Sequence, residues 1–146
     1  MLDGEATALR YLNQTTYDPL RFRPSPIAIE TKTAVAAETG ESQLAVWTKA
    51  WRTRMSLLGA TQIPAQPLVR VCDHAWMILF CWDEEVRIRR QDGKSEVRSN
   101  LVLMSELHIG DTRSILGVYK ILKAMRLLAE WMEGDFYDWF KEQILR

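Results

Sequence analysis

Apolar positions recur every three to four residues in two long stretches of this chain, and every second residue in the stretch between them. Over 42–58, Leu44, Trp47, Trp51, Met55 and Leu58 form the stripe of an amphipathic helix. Gly59 follows as a suitable left-handed C-cap. Over 112–133, Ile115, Val118, Tyr119, Leu122, Met125 and Leu128 mark one face of a longer helix, widened by Leu116, Leu127 and Trp131, with Asp111 as its cap. Between the two the period falls to two, which predicts strands at 68–72, 76–82 and 86–90 and another from Glu96 onward. Trp76–Trp82 is apolar on both faces, the pattern of a central strand. Asp92-Gly93 is the strongest turn signal, because a tight hairpin wants positive φ at its centre. The expected fold is α+β: an antiparallel meander of three to five strands over roughly 68–104, flanked by helices 42–58 and 112–133 and a short C-terminal helix after Gly134.

The first forty residues are less periodic. Gly4–Asn13 reads as a short helix with Asp3 as its cap. Tyr17–Pro26 holds three prolines with Arg21 and Arg23 between them, and each proline biases the residue before it towards extended geometry. A proline-rich extended arm over 15–39 is the expectation, with Ile27–Ala36 alternating as a strand could. At 146 residues the chain is expected to form one domain, 1–146.

Charge adds more than its sum suggests. Nineteen Lys and Arg balance nineteen Asp and Glu, which excludes a histone-like polycation and an acidic disordered tail. By segment the balance breaks: 43–126 carries thirteen basic and eight acidic residues, and 127–146 carries two and five. With Asp92-Gly93 as a two-residue loop, Arg87 would face Arg98 and Arg89 would face Glu96. That register would put Arg87, Arg89, Lys94 and Arg98 on one solvent face. An anion such as phosphate would relieve the like-charge pair, and a solvated edge hairpin is the plainer alternative. Lys49 and Arg52 on the first long helix could extend this surface towards RNA or DNA.

Six tryptophans are many for this length. Trp47, Trp51 and Trp76 fit core positions. Phe136, Tyr137, Trp139 and Phe140, with Trp131 nearby, crowd a short helix that either meets a partner or docks on its own sheet.

Catalytic signals are sparse. Asp73 with Glu85-Val86-Arg87 faintly resembles a nuclease Asp…Glu-x-Lys arrangement. Arginine in place of lysine removes a group whose pKa could shift for proton transfer, and Asp83-Glu84-Glu85 reads more simply as a turn between strands. Cys72, His74, Cys81 and His108 lack the spacing of a zinc site, so no metal and no cofactor is expected. No secretory leader, lipidation signal or 18-residue apolar run is visible, and a cytoplasmic location is the default expectation. These readings favour a non-enzymatic interaction protein that self-associates through its C-terminal helices. The alternative is a nucleic-acid-binding module built on the basic hairpin and helix face.

Overall fold

The structure, a computed structural model, describes residues 11–13, 17–33, 37–89, 95–104 and 106–145, without the side chains of 37–39. Helix α1 (Asp18–Arg21) is a single turn with proline at its start, where a fixed φ and a missing N–H cost least. The arm therefore contains one helical turn before it straightens. Asn13 holds that bend: its Nδ2 donates to the carbonyls of Leu20 and Arg23, and its Oδ1 accepts from the Ser25 N–H at 3.2 Å. The helix expected over Gly4–Asn13 lies almost wholly outside the described residues.

Strand β1 (Ala28–Lys32) runs parallel to β2 (Gln66–Cys72), and helix α2 (Ala37–Leu57) makes the crossover between them. A turn at Asp73-His74, with Asp73 at φ 50°, returns the chain as β3 (Ala75–Arg89). β3 pairs antiparallel with β2 on one edge, and with both β4 (Ser95–Leu103) and β5 (Leu107–Asp111) on the other. The order β1-β2-β3-β4, with β5 beside β3, makes a mixed, mostly antiparallel sheet within an α+β fold. The alternation over 68–104 foretold the antiparallel part. The parallel edge strand β1 joins it from the arm.

Two predicted strands prove to be one. Asp83-Glu84-Glu85 runs through β3 instead of turning. β2 ends its pairing at Gln66↔Cys81, so beyond Cys81 the chain is a two-stranded ribbon with β4, wet enough to carry acidic residues.

Register decides which side chains share a face. Ala28, Glu30 and Lys32 line up with Leu68, Arg70 and Cys72. α2 covers this face, with Leu44 against Leu68, Leu79 and Cys81. Helix α3 (Ile115–Trp131) covers the other face, where Leu128 and Met125 meet Val69, Val71 and Ile78. α3 approaches β5 very closely: a Cβ on Gly117 would lie 2.1 Å from the Asp111 carbonyl oxygen, and one on Gly110 would lie 2.5 Å from that of Gly117. Only glycines allow this helix to start where it does. Its cap is Ser114, whose Oγ accepts from the Gly117 N–H at 3.0 Å, while Asp111 serves the turn before it by accepting from the Arg113 N–H. The buried side of α3 is Gly117, Ile121 and Leu128, so the apolar row of Ile115, Tyr119 and Leu122 faces outward.

A π-helical segment (Met132–Phe136) redirects the chain into α4 (Tyr137–Ile144), which brings its aromatics back to α2. Trp51, Met55, Ala60, Phe136 and Phe140 form one buried cluster. Phe136 is its hub, with ring centroids 5.5 Å from both Trp131 and Trp139. Burying a large side chain contributes about 1.5–3 kcal/mol, so this cluster is a major share of the core.

Candidate active site

The carboxyl ends of β1 and β2 lie side by side, and α2 begins above them. This is where an open sheet with a parallel crossover leaves a crevice for ligands. Four charged side chains gather there. Lys32 Nζ sits 2.8 Å from Glu30 Oε1, and each side chain is about one-fifth exposed, at 19% and 23%. Glu30 is the direct register partner of Arg70 on β2. Arg70 reaches away to Glu106, with its Nε on one carboxylate oxygen and its Nη2 on the other at 2.5 Å. That fork, first through its hydrogen bond and then through opposite charge, raises the Arg70 pKa against the opposing effect of burial.

Helix α2 approaches the crevice through a glycine. A Cβ on Gly40 would stand 3.1 Å from Arg70 Cδ and 3.5 Å from Lys32 Cγ. The first turn of a helix carries unsatisfied N–H groups and the positive end of its dipole, so it favours anions. The site thus combines a half-buried carboxylate, an ammonium and an anion-favouring helix start.

The basic residues anticipated from sequence are dispersed. Arg52 is only 2% exposed and is committed within the fold: its Nε donates to Asp83 Oδ2 at 2.7 Å, and its other nitrogens donate to the Pro64 and Ile63 carbonyls. Lys49 joins the same carboxylate at 3.4 Å. Burial alone would raise the Asp83 pKa, but the hydrogen bonds and charges of Arg52 and Lys49 outweigh it and hold that pKa below the usual carboxylate value.

The hairpin register differs by one residue from the two-residue-loop reading. Arg89 pairs with Ser95, Arg87 with Val97, and Val86 with Arg98. Because side chains alternate, this slip sends Arg98 to the face opposite Arg87 and Arg89. Arg98 meets Glu96 at 3.2 Å, and the Arg87–Arg98 cross-strand pair does not form. Lys94 lies outside the described residues.

The aromatic tail packs inward. Phe136 and Phe140 are 3% and 2% exposed, Trp139 donates its indole N–H to the Gln62 carbonyl, and Trp131 packs against the same cluster. Tyr137 stays 48% exposed with Lys141 over its ring. Trp47, expected in the core, is 58% exposed at the rim of α2.

The sequence profile of the PD-(D/E)XK nuclease superfamily matches residues 3–137 of this chain. The chain belongs to that superfamily. No curated protein and no solved structure matches it. Membership corrects the expectation of a non-enzymatic assembly protein and supports the nucleic-acid reading over it. The superfamily's name spells an acid, any residue, then lysine. The chain holds two such triplets, Glu30-Thr31-Lys32 and Asp92-Gly93-Lys94. The second lies outside the described residues. The first is the pair already found at the end of β1. The sequence resembles this motif faintly at Glu85-Val86-Arg87, whereas in the arm only a loose strand alternation accompanies the true triplet. Pro26-Ile27-Ala28-Ile29, a short apolar run just before an acid-x-lysine triplet, was the available signal.

A divalent metal is the group such a nuclease motif implies. A hard cation takes six or more oxygens, usually from two or more carboxylates. Of the described acids nearby, Glu106 is taken by Arg70, Glu30 is paired with Lys32, and Glu41 of α2 acts on Arg70 through charge. Among the described residues no group of three His, Cys, Asp or Glu side chains gathers to hold a metal. The name also calls for Pro-Asp, and no such dipeptide occurs in the chain. The described donors do not by themselves fit a divalent ion. Among the described residues no helix is long and apolar enough to cross a membrane.

Proposed function

We propose that this chain acts on the phosphodiester backbone of nucleic acid, with Glu30 and Lys32 as the reacting pair. The observation that carries the reading is the acid-x-lysine triplet with its two side chains 2.8 Å apart at the carboxyl end of β1, beneath the start of α2. Hydrolysis forms a bond from water oxygen to phosphorus and breaks the bond from phosphorus to a sugar oxygen. In this reading Glu30 accepts the water proton, and the leaving oxygen takes its proton from solvent. Lys32 faces the charge that builds on the phosphoryl oxygens, where a fixed cation contributes most. Exposed Arg87 and Arg89 share the sheet face of the reacting pair but lie at the far end of β3, Arg87 being ten residues beyond Met77, the position in line with Arg70 and Glu30. That is about 33 Å of extended strand, so only a nucleic acid of roughly ten nucleotides or more would meet both.

The test is cleavage of labelled single- and double-stranded DNA and RNA, with and without added Mg²⁺ or Mn²⁺. Glu30→Gln and Lys32→Met should each lower the rate by about a hundredfold or more, while folding is unchanged. Binding by the wild type should fall steeply with salt. Cleavage that persists in both variants would remove the assignment.

A further inference from the structure

We infer that the outward face of α3 is the contact for a second copy of this chain, packed antiparallel about a two-fold axis between Leu122 and Lys123. A helix that covers a sheet needs one apolar face, and α3 has two. Its buried side is Gly117, Ile121 and Leu128. On the other side Ile115, Leu116, Tyr119, Leu122 and Leu127 are each more than half exposed, from 56% to 79%. Single apolar side chains on a surface need no explanation. Five along about four turns of one helix form a contiguous patch, the kind that marks an interaction surface.

The relief of this face fits another helix. A hollow of about 500 Å³ lies among Tyr119, Leu122, Lys123, Arg126, Leu127 and Glu130, and every wall of it is α3 itself. The six make two successive holes at spacings i, i+3, i+4 and i+7, one from Tyr119 to Arg126 and one from Lys123 to Glu130. Each is the four-residue hole that receives one side chain of a facing helix.

Charge selects the helix and its direction. The start of α3 is positive, with Arg113 beside the first-turn N–H groups and the positive end of the dipole. The end carries Glu130 and Glu133, and the middle carries Lys123 and Arg126. All five side chains are exposed. Among the described residues they form no ion pair with one another. A parallel copy would set each charge beside its own likeness. An antiparallel copy brings the positive start of one helix to the acidic end of the other. With the axis between Leu122 and Lys123, Tyr119 of one copy stands opposite Arg126 of the other, ring to cation. Arg113 then stands opposite the turn that holds Glu130 and Glu133. Symmetry makes each contact twice. An anionic membrane would suit the cations and repel the two carboxylates on the same face. The pairing does not depend on the nuclease reading. α3 covers the sheet face opposite Glu30 and Lys32, so both crevices stay open.

The test is sedimentation equilibrium of the full chain from about 1 µM to about 0.5 mM. The mass should rise from 16.9 kDa to twice that value across the range, because a single helix pair is a small contact. Leu122→Glu changes an exposed position and should hold the mass at 16.9 kDa throughout, with unchanged circular dichroism. Arg113→Glu and Glu133→Arg should each weaken pairing about tenfold. The double variant should recover it, since every copy then carries both reversals. A wild type that stays monomeric at about 0.5 mM overturns the inference, and so does a monomer that sediments with phosphatidylserine vesicles. Dimers that survive Leu122→Glu, or a double variant no tighter than the single ones, overturn it too, because the copies then meet elsewhere or in another direction. Cleavage separates the two proposals. A monomer that cuts keeps the reacting pair and loses this surface, and a dimer that does not cut does the reverse.

Discussion

Arg52 on α2 and Asp83 on β3 join at 2.7 Å, with the guanidinium 2% exposed and the carboxylate 26% exposed. This pair ties the crossover helix to the central strand where β2 stops and the ribbon begins. Removing one partner of a buried pair leaves an uncompensated charge, so Asp83→Asn should cost about 3 kcal/mol in denaturant unfolding. Arg52→Met leaves Asp83 to Lys49 and strips the donors from the Pro64 and Ile63 carbonyls, so it should cost at least as much. The acid limb tests the same contact. The folded Asp83 carboxyl titrates below its unfolded value of about 3.9, so its contribution is full above that pH and is lost as pH falls through the folded value. Asp83→Asn should flatten stability against pH below about pH 4 and leave the slope near neutrality unchanged.

The aromatic tail makes a second prediction. Phe140 is 2% exposed and stacks on Phe136 at 5.9 Å. Phe140→Ala should lower stability by about 3–5 kcal/mol, the range for a buried aromatic truncated to alanine. Truncation before Asp135 should broaden or abolish the thermal transition, because it opens the cluster around Trp51 and Met55. A truncated chain that melts cooperatively at the wild-type temperature would show that the tail is not part of this core.

Much of this architecture was legible in the chain, and the misses share a cause. The period of α2 and the alternation from Leu68 to Leu103 report burial directly, so the helices and the meander could be read. β1 could not be read with assurance, because a parallel edge strand of five residues with alternate positions exposed looks like any extended arm. The active-site candidate sits on that strand, whereas the faint resemblance to the triplet in the sequence falls on β3. Arg52 misled for a related reason: position on a helical wheel does not reveal that Asp83 and two carbonyls wait beneath a basic side chain. In the hairpin, Asp92-Gly93 itself lies outside the described residues, between the end of β3 at Arg89 and the start of β4 at Ser95. The register depends on loop length, and one residue of difference moved Arg98 to the other face.

Gly40 separates catalytic geometry from stability. Replacing a helical glycine by alanine gains about 0.5–1 kcal/mol from backbone entropy. The new methyl would press on Arg70 at 3.1 Å, and that side chain is held by its fork to Glu106. The two effects oppose, so Gly40→Ala should melt within a few degrees of the wild type. Lys32 Cγ, 3.5 Å from the same methyl, is in ordinary van der Waals contact and keeps its place. The cleavage rate should therefore follow the folded fraction, and a severalfold larger fall would show that the reacting pair depends on the position of Arg70, the register partner of Glu30.

One of the two thiols, Cys72, reports on the same crevice, and Cys81 lies at the opposite end of β2. Cys81 is fully buried, and burial is the main cause that lifts its pKa to about 11, ahead of the opposing influence of Arg52. The thiolate is the reactive form, so Cys81 should resist alkylation at about pH 8 until the protein unfolds. Cys72 is half-buried at the end of β2 and is the register partner of Lys32, on the same sheet face. A thiol reagent should therefore modify one cysteine in the native protein and two in denaturant, with mass spectrometry placing the first adduct on Cys72. A bulky adduct there would stand beside Lys32, in the crevice proposed for the phosphate, so modification should suppress cleavage. Cys72→Ser should cut normally and survive the reagent. If the modified wild type keeps full activity, the reacting phosphate does not pass between the ends of β1 and β2, and the site must be sought elsewhere on the sheet.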